Sequence, residues 1–131
     1  MKTMMIALSF ACFQVTALVG VVDAATLATG LMYWDDGSTG TSCFVTNVGS
    51  KPVIITSATL QDAESTNLAA PSNNCTTAPL APGHTCFFDG ANVAYGGGKI
   101  EVKGNTKSLR GRCVLRNAIN GDVLGSAADM R

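Results

Sequence analysis

Charge is scarce in this chain. Only 14% of its 131 residues are Asp, Glu, Lys or Arg, and nine basic residues balance nine acidic ones to a formal net charge of zero. A neutral chain has no bulk attraction for a polyanion. We therefore expect no nucleic acid as partner, and no membrane once the N-terminal segment described below is removed.

The residue types of common active sites are also sparse. The single histidine, His84, follows Gly83 at a turn, whereas a general base needs a partner group and a pocket. The chain contains no Cys-X-X-Cys motif, which a redox-active dithiol commonly uses. Four dispersed cysteines with one histidine make a poor zinc site. We therefore expect no catalytic residue, no metal and no cofactor, and predict that the protein is not an enzyme.

The first 24 residues have the plan of a secretory signal peptide. Lys2 supplies a positive charge, an uncharged apolar run covers residues 4–22, and small residues precede the bond between Ala24 and Ala25. Cleavage there leaves residues 25–131 as one small domain. The expected location is the periplasm or the medium. An uncleaved membrane anchor is the alternative, although Gln14 and Thr16 interrupt the run.

An even number of cysteines remains after the predicted cleavage. Cys12 leaves with the signal, and the other four are Cys43, Cys75, Cys86 and Cys113. In a short exported chain this pattern indicates a disulfide framework, for which three pairings exist. We favour a bond between the sheets from Cys43 to Cys113, and a bond from Cys75 to Cys86 across the turn that they flank.

No stretch has the 3.6-residue apolar period of a helix, and fourteen glycines accompany many β-branched and small polar residues. Seven or eight short strands are expected, as in an immunoglobulin-like antiparallel β-sandwich. The predicted strands lie at 30–36, 42–48, 53–62, 85–89, 99–104, 108–117 and after a two-residue turn at Asn120-Gly121. Residues 63–77 are read as a loop with room for one short strand, and 95–99 as a flexible connector.

The C-terminal strands carry a possible binding patch. Alternation within 108–117 places Arg110, Arg112 and Arg116 on one face, with Lys103 and Lys107 nearby in sequence. Arginine binds carboxylates and phosphates through two parallel hydrogen bonds, so the patch suits a protein or another anionic partner. The alternative is that these charges protect a sheet edge from aggregation, and we favour this alternative for an edge strand.

Other candidates have simpler explanations. Tyr33 and Trp34 form an aromatic cluster that could serve as a ligand-binding platform if both were exposed. Alternation on a strand argues against this. Asp35-Asp36-Gly37 lacks the spaced acids of a calcium loop and suits a hairpin turn.

The segments "CFVTNVGSKPVIITSATL" and "NNCTTAPLAPGHTCFF" resemble bacterial exported immunoglobulin-like domains of the Ash type, named for abnormal-spindle and hydin proteins. The residues that carry the resemblance are Asn47, Gly49, 53–55, Cys75, Leu80, Pro82, Gly83 and Cys86. After Phe88 the family's Phe-X-Pro is replaced by "DGANVAYGGG", and the rest is similar to small, stand-alone exported proteobacterial proteins. The resemblance implies an immunoglobulin-like fold and carries over no catalytic residue.

Three functions compete at this point. The first is an exported, non-enzymatic module that binds or supports a partner. The second is a small periplasmic enzyme or thiol–disulfide protein, which would require His84 near a reactive group or a free Cys113. The third is an inhibitor or accessory subunit that adds an edge strand to its partner. The sequence names neither the partner nor the oligomeric state.

Overall fold

The computed structural model describes residues 23–30, 32–33, 39–62, 66–91, 95–117 and 119–131, without the side chains at 33, 39, 91, 95 and 125–127. The described residues form ten β-strands, which are β1 Ala24–Ala28, β2 Met32–Tyr33, β3 Thr39–Asn47, β4 Ile55–Gln61, β5 Asn67–Ala69, β6 Ser72–Asn73, β7 Thr85–Ala91, β8 Tyr95–Lys103, β9 Leu109–Asn117 and β10 Val123–Met130. Apart from its last two residues, the predicted signal peptide lies outside the described part.

The strands form two antiparallel sheets packed face to face. Sheet one has the order β1–β8–β4–β5, with β2 also paired to β8, and sheet two has the order β10–β9–β3–β7–β6. The predicted all-β antiparallel sandwich is therefore confirmed. Consecutive strands β3 and β4 lie in different sheets, as do β8 and β9, so the chain passes from one sheet to the other at each of these connections.

Alternating side chains of both sheets fill the interior. Along β9, Leu109, Cys113 and Leu115 are buried, whereas Arg110 and Arg112 are exposed, which confirms the alternation predicted for this strand. The longer strands contribute one apolar row to the core and one row to the outside, since successive side chains point to opposite faces. The largest fully buried apolar side chains are Phe88, Leu60, Ile100, Leu109, Leu115, Val45 and Val102.

The glycine run at 96–98 belongs to a strand, so its prediction as a flexible connector is wrong. Tyr95–Lys103 forms β8, which pairs with β1 and β4. A β-carbon at Gly98 would overlap both sulfurs of the Cys43–Cys113 disulfide, and one at Gly96 would overlap Thr41 of the facing sheet. Glycine is required here because the opposite sheet fills the space that a side chain would occupy.

Several other predicted boundaries differ from the structure. Strand β1 precedes the predicted first strand at 30–36, of which the described part is β2, Met32–Tyr33. Residues 63–77 contribute two short strands rather than one. The last hairpin closes by a hydrogen bond from Asn117 N to Asp122 O, at 2.8 Å, so its loop has four residues instead of two. The sequence correctly predicted a turn at Gly121, where φ is +76°, but it did not predict the length of the loop.

Buried Asn47 organises one end of the sandwich. Its side-chain nitrogen donates to the carbonyl oxygens of Lys51 and Leu80 at 2.8 and 2.9 Å, and its oxygen accepts from Gly49 N at 2.9 Å. These bonds tie the β3–β4 turn to the turn at Gly83, whose φ of +74° matches the positive value predicted there. Asn47 and Gly49 were singled out only by resemblance, and this network explains their pairing.

Both disulfides use the favoured pairs, Cys43–Cys113 and Cys75–Cys86. The expectation that Cys43–Cys113 joins the two sheets is wrong. These residues face each other directly on neighbouring strands β3 and β9 of sheet two, with Cα atoms 4.0 Å apart. Alternation identified their inward direction, but it does not show which strands are neighbours.

Candidate binding face

The three arginines of the predicted patch lie on the outer face of sheet two. They project from β9, which pairs with β3 on one side and β10 on the other. Because β9 is an internal strand, the explanation that its arginines protect a sheet edge is wrong. The other structural role of these charges, solvation of the outer face of the last strands, does not depend on an edge position.

Two phenylalanines lie on the same face beside the arginines. Phe44 of β3 pairs directly with Arg112 on one side and with Phe87 of β7 on the other. Phe87 is 39% exposed, although large apolar side chains are generally buried. We call the outer surface formed by Phe44, Phe87, Arg110, Arg112 and Arg116 the arginine face.

Each arginine is held differently. Arg110 donates to the carbonyl oxygens of Lys107 and Leu109, at 3.1 and 2.7 Å. Arg112 lies 3.8 Å from the carboxylate of Asp129, and both side chains are well exposed, so this pair contributes little stability. The face therefore keeps a fixed cation at Arg110 and an accessible one at Arg112.

Arg116 stacks on the sheet surface. Its guanidinium carbon is 5.4 Å from the centre of the Phe44 ring, a cation–π contact. Its Nε atom is buried and has no hydrogen-bond partner among the described residues. Register places Arg116 opposite Gly40, four positions from Phe44 on β3, so the side chain runs along the strand. The arrangement leaves one donor of the guanidinium without a protein partner.

A basic hollow occupies one part of the arginine face. It has a volume of 470 Å³ and is lined by Phe44, Thr46, Arg110, Gly111, Arg112, Asp129, Met130 and Arg131. Three arginines against one aspartate make the hollow electropositive. An aromatic floor with arginine walls suits an acidic segment that also carries apolar side chains.

A separate trough crosses the face on the other side of Arg116. Its volume is 350 Å³, and its lining residues are Gly40, Ser42, Pro71, Ser72, Asp89, Gly90, Arg116, Asn117 and Gly121. Gly40 and Ser42 of the central strand β3 form the floor. Arg116 of β9 and Asp89 of β7 stand on opposite sides, so one wall is basic and the other acidic.

Neither of the two predicted lysines lines the basic hollow or the trough. Lys103 ends β8 in sheet one, opposite Ala24 of β1. Lys107 lies in the β8–β9 loop and lines a cleft with Lys51 at one end of the sandwich. The predicted five-residue patch is therefore three arginines on one face and two lysines elsewhere, because proximity in sequence across a turn does not mean a shared surface.

The catalytic alternatives gain no support from the described residues. His84 is exposed at its turn, and all four bonded cysteines are buried. Within the described ranges, no group of three or more His, Cys, Asp or Glu residues is placed to hold a metal ion. The side chain of Tyr33 and the segment Trp34–Gly37 lie outside the description, so those candidates stay predictions.

Edge strands of the two sheets meet at one corner. Ala28 of β1 and Arg131, which follows β10, exchange two backbone hydrogen bonds of 3.0 and 2.9 Å. This contact occupies backbone groups that an added strand would need at that point. In the part of the chain that the structure describes, no helix is long and apolar enough to cross a membrane.

Sequence reasoning missed the two phenylalanines of the face. The signal was present, because alternation in 42–48 directs Phe44 away from the side of Cys43 and Val45. Phe87 likewise alternates with Cys86 and Phe88, both of which are buried. Only strand register shows that Phe44 adjoins both Arg112 and Phe87.

In comparisons with known proteins, no family model, no curated protein and no solved structure matches the chain. The resemblance to Ash-type domains therefore rests on the motif residues alone.

Proposed function

We propose that the protein is an exported, non-enzymatic binding module that captures an acidic protein surface on its arginine face. The observation that carries the proposal is the row of Asp129, Arg112, Phe44 and Phe87 across four neighbouring strands. Exposed aromatic rings and arginines are the residue types that dominate the energetics of protein interfaces.

Export to the periplasm or medium, with cleavage between Ala24 and Ala25, belongs to the same proposal. Two disulfides are consistent with an oxidising compartment. Cleavage would shorten β1 by its first residue, Ala24, and remove the carbonyl of Asp23, which accepts a 3.3 Å hydrogen bond from Gly104 N. The remaining register, from Ala25 opposite Val102 to Ala28 opposite Lys99, stays paired.

The basic hollow supplies the chemistry of recognition. A carboxylate of the partner meets Arg110 and Arg112, and an apolar side chain packs on the phenylalanine rings. Asp129 sets a limit on the charge of the ligand, since it repels carboxylates that approach the β10 side. The partner therefore needs acidic and apolar groups together, rather than high negative charge alone.

A pair of charge-matched variants tests this function. Arg112→Glu and Lys103→Glu change the net charge equally, but only the first alters the arginine face. We expect Arg112→Glu to weaken capture of the partner from a cell-envelope extract by about tenfold or more. Lys103→Glu is expected to leave capture unchanged.

The stability of both variants is measured by urea unfolding. The new carboxylate in Arg112→Glu faces Asp129 across the strands, at an expected cost of no more than about 1 kcal/mol. Equal loss of capture in both variants, or in neither, contradicts the proposed face.

A further inference from the structure

The trough on the arginine face combines two unlike charges. Asp89 and Arg116 stand on β7 and β9, with β3 between them and with partners two positions apart on β3, so their backbones are about 12 Å apart. Among the residues that the structure describes, Lys99 pairs with Glu101 and Arg112 with Asp129, and neither ion pair uses these two side chains. Each of the two charges is therefore available to a group that enters the trough.

The floor of the trough admits a small ligand. Gly40 carries no side chain and pairs with Arg116, whereas Ser42 pairs with Asp89, so the two floor residues lie beside opposite walls. A volume of 350 Å³ is at the lower end of the range for small-molecule sites. Ser72 and Asn117 add polar groups to the rim.

The guanidinium of Arg116 is held in place without being saturated by hydrogen bonds. Its contact with the Phe44 ring fixes its position. Its Nε is buried beyond the reach of solvent, but its terminal nitrogens also have no hydrogen-bond partner among the described residues. A carboxylate in the trough can accept charge-assisted hydrogen bonds from these nitrogens.

We propose that the trough binds a zwitterionic α-amino acid, with its carboxylate on Arg116 and its ammonium on Asp89. A simple anion is repelled by Asp89, and a simple cation is repelled by Arg116, so a ligand that carries both charges fits best. This small-molecule site is distinct from the basic hollow and does not depend on the proposed protein partner.

Amide chemical shifts of the oxidised protein test the proposal. Three probes are titrated, namely L-alanine, N-acetyl-L-alanine, which lacks the ammonium, and L-alaninamide, which lacks the carboxylate. We expect L-alanine to shift the signals of Gly40, Ser42, Asp89 and Gly121. Each single-charge analogue should bind about tenfold more weakly or worse. Equal binding of all three probes, or no shift in the trough, overturns the proposal.

Variants then assign the two charges. Arg116→Gln and Asp89→Asn should each lose the response to L-alanine, and Lys103→Gln, which removes a cation from sheet one, should keep it. An unchanged response in Arg116→Gln or Asp89→Asn contradicts the assignment. If Arg116→Gln disturbs the fold through Phe44, the three probes on the unaltered protein still decide. Failure of partner capture with retained alanine binding would overturn only the proposed function.

Discussion

The two outer faces of the sandwich differ in how they handle charge. On sheet one, Lys99 and Glu101 form an ion pair of 2.8 Å, and Thr56 donates to the Glu101 carbonyl at 3.1 Å. On sheet two, Arg112 has only a loose and exposed pairing with Asp129, beside the exposed ring of Phe87. Phe87 is not a single exposed side chain, because it adjoins Phe44, which contacts Arg112 by register and Arg116 through its ring.

The two sheets are alike on their inner faces and differ in the side chains that they expose on their outer faces. Both sheets bury equivalent apolar rows, so the demands of folding are the same on their inner faces. Sheet one shows short hydroxyls and a neutralised pair outside, whereas sheet two shows aromatic rings under arginine side chains. Under the proposed function, sheet two carries the recognition chemistry, and sheet one supports it from the other side of the core.

The largest expected effect tests the frame beneath the arginine face. Cys43 and Cys113 join the strands that carry Phe44 and Arg112, and they enclose a long loop. We expect Cys43→Ala/Cys113→Ala to lower the free energy of unfolding by about 4 kcal/mol, and Cys75→Ala/Cys86→Ala by about 3 kcal/mol, because loop-closure entropy grows with loop length. Urea unfolding measures both. A larger loss from the shorter loop would contradict this order.

The next effect tests how closely sheet one supports sheet two. A methyl group at Gly98 would overlap the sulfurs of Cys43 and Cys113, whereas one at Gly30 would meet open space. We expect Gly98→Ala to destabilise by about 1–3 kcal/mol and Gly30→Ala to change stability by less than about 0.5 kcal/mol. Thermal unfolding distinguishes them. Similar stabilities for the two variants would show that the sheets are not packed as closely as described.

A third prediction separates binding from stability. Phe87 is 39% exposed and Ile54 is 46% exposed, but only Phe87 lies on the arginine face. We expect both Phe87→Ser and Ile54→Ser to change the free energy of unfolding by less than about 1 kcal/mol. Partner capture should fall only in Phe87→Ser. Weaker capture by Ile54→Ser would extend the binding surface beyond sheet two.

The smallest effect belongs to sheet one. The Lys99–Glu101 pair is partly solvent-exposed and links two residues of one strand. Glu101→Gln should therefore change stability by less than about 0.5 kcal/mol and leave partner capture intact. A loss of capture in this variant would show that the outer face of sheet one is also functional, and the comparison between the faces would no longer hold.

Sequence alone predicted the elements whose pattern is local. Alternation along 108–117 identified the buried side of β9, and Pro82-Gly83 identified a turn with positive φ. Strand 95–103 was missed in part because three successive glycines have no alternating pattern, and their purpose lies in the disulfide of the facing sheet.

Neighbour relations between strands were the main gap. The sequence placed Arg110, Arg112 and Arg116 on one face, but it did not show that β9 is internal or that Phe44 lies between Arg112 and Phe87. The trough could not be predicted for the same reason. Asp89 and Arg116 are 27 positions apart in the sequence, and they flank one trough only because β7 and β9 both pair with β3. Periodicity shows to which face of a sheet a side chain points, whereas the register between strands depends on pairing between distant parts of the chain.

Site-specific photo-crosslinking on the two outer faces tests the central claim most directly. A photoreactive phenylalanine is placed in the exported protein at Phe87 on sheet two and, as the control, at Thr56 on sheet one, and the cells are irradiated. The account predicts a discrete cross-linked partner from position 87, lost when Arg112→Glu is added, and none from position 56. The same products from both positions, or a partner from position 56 alone, would contradict it.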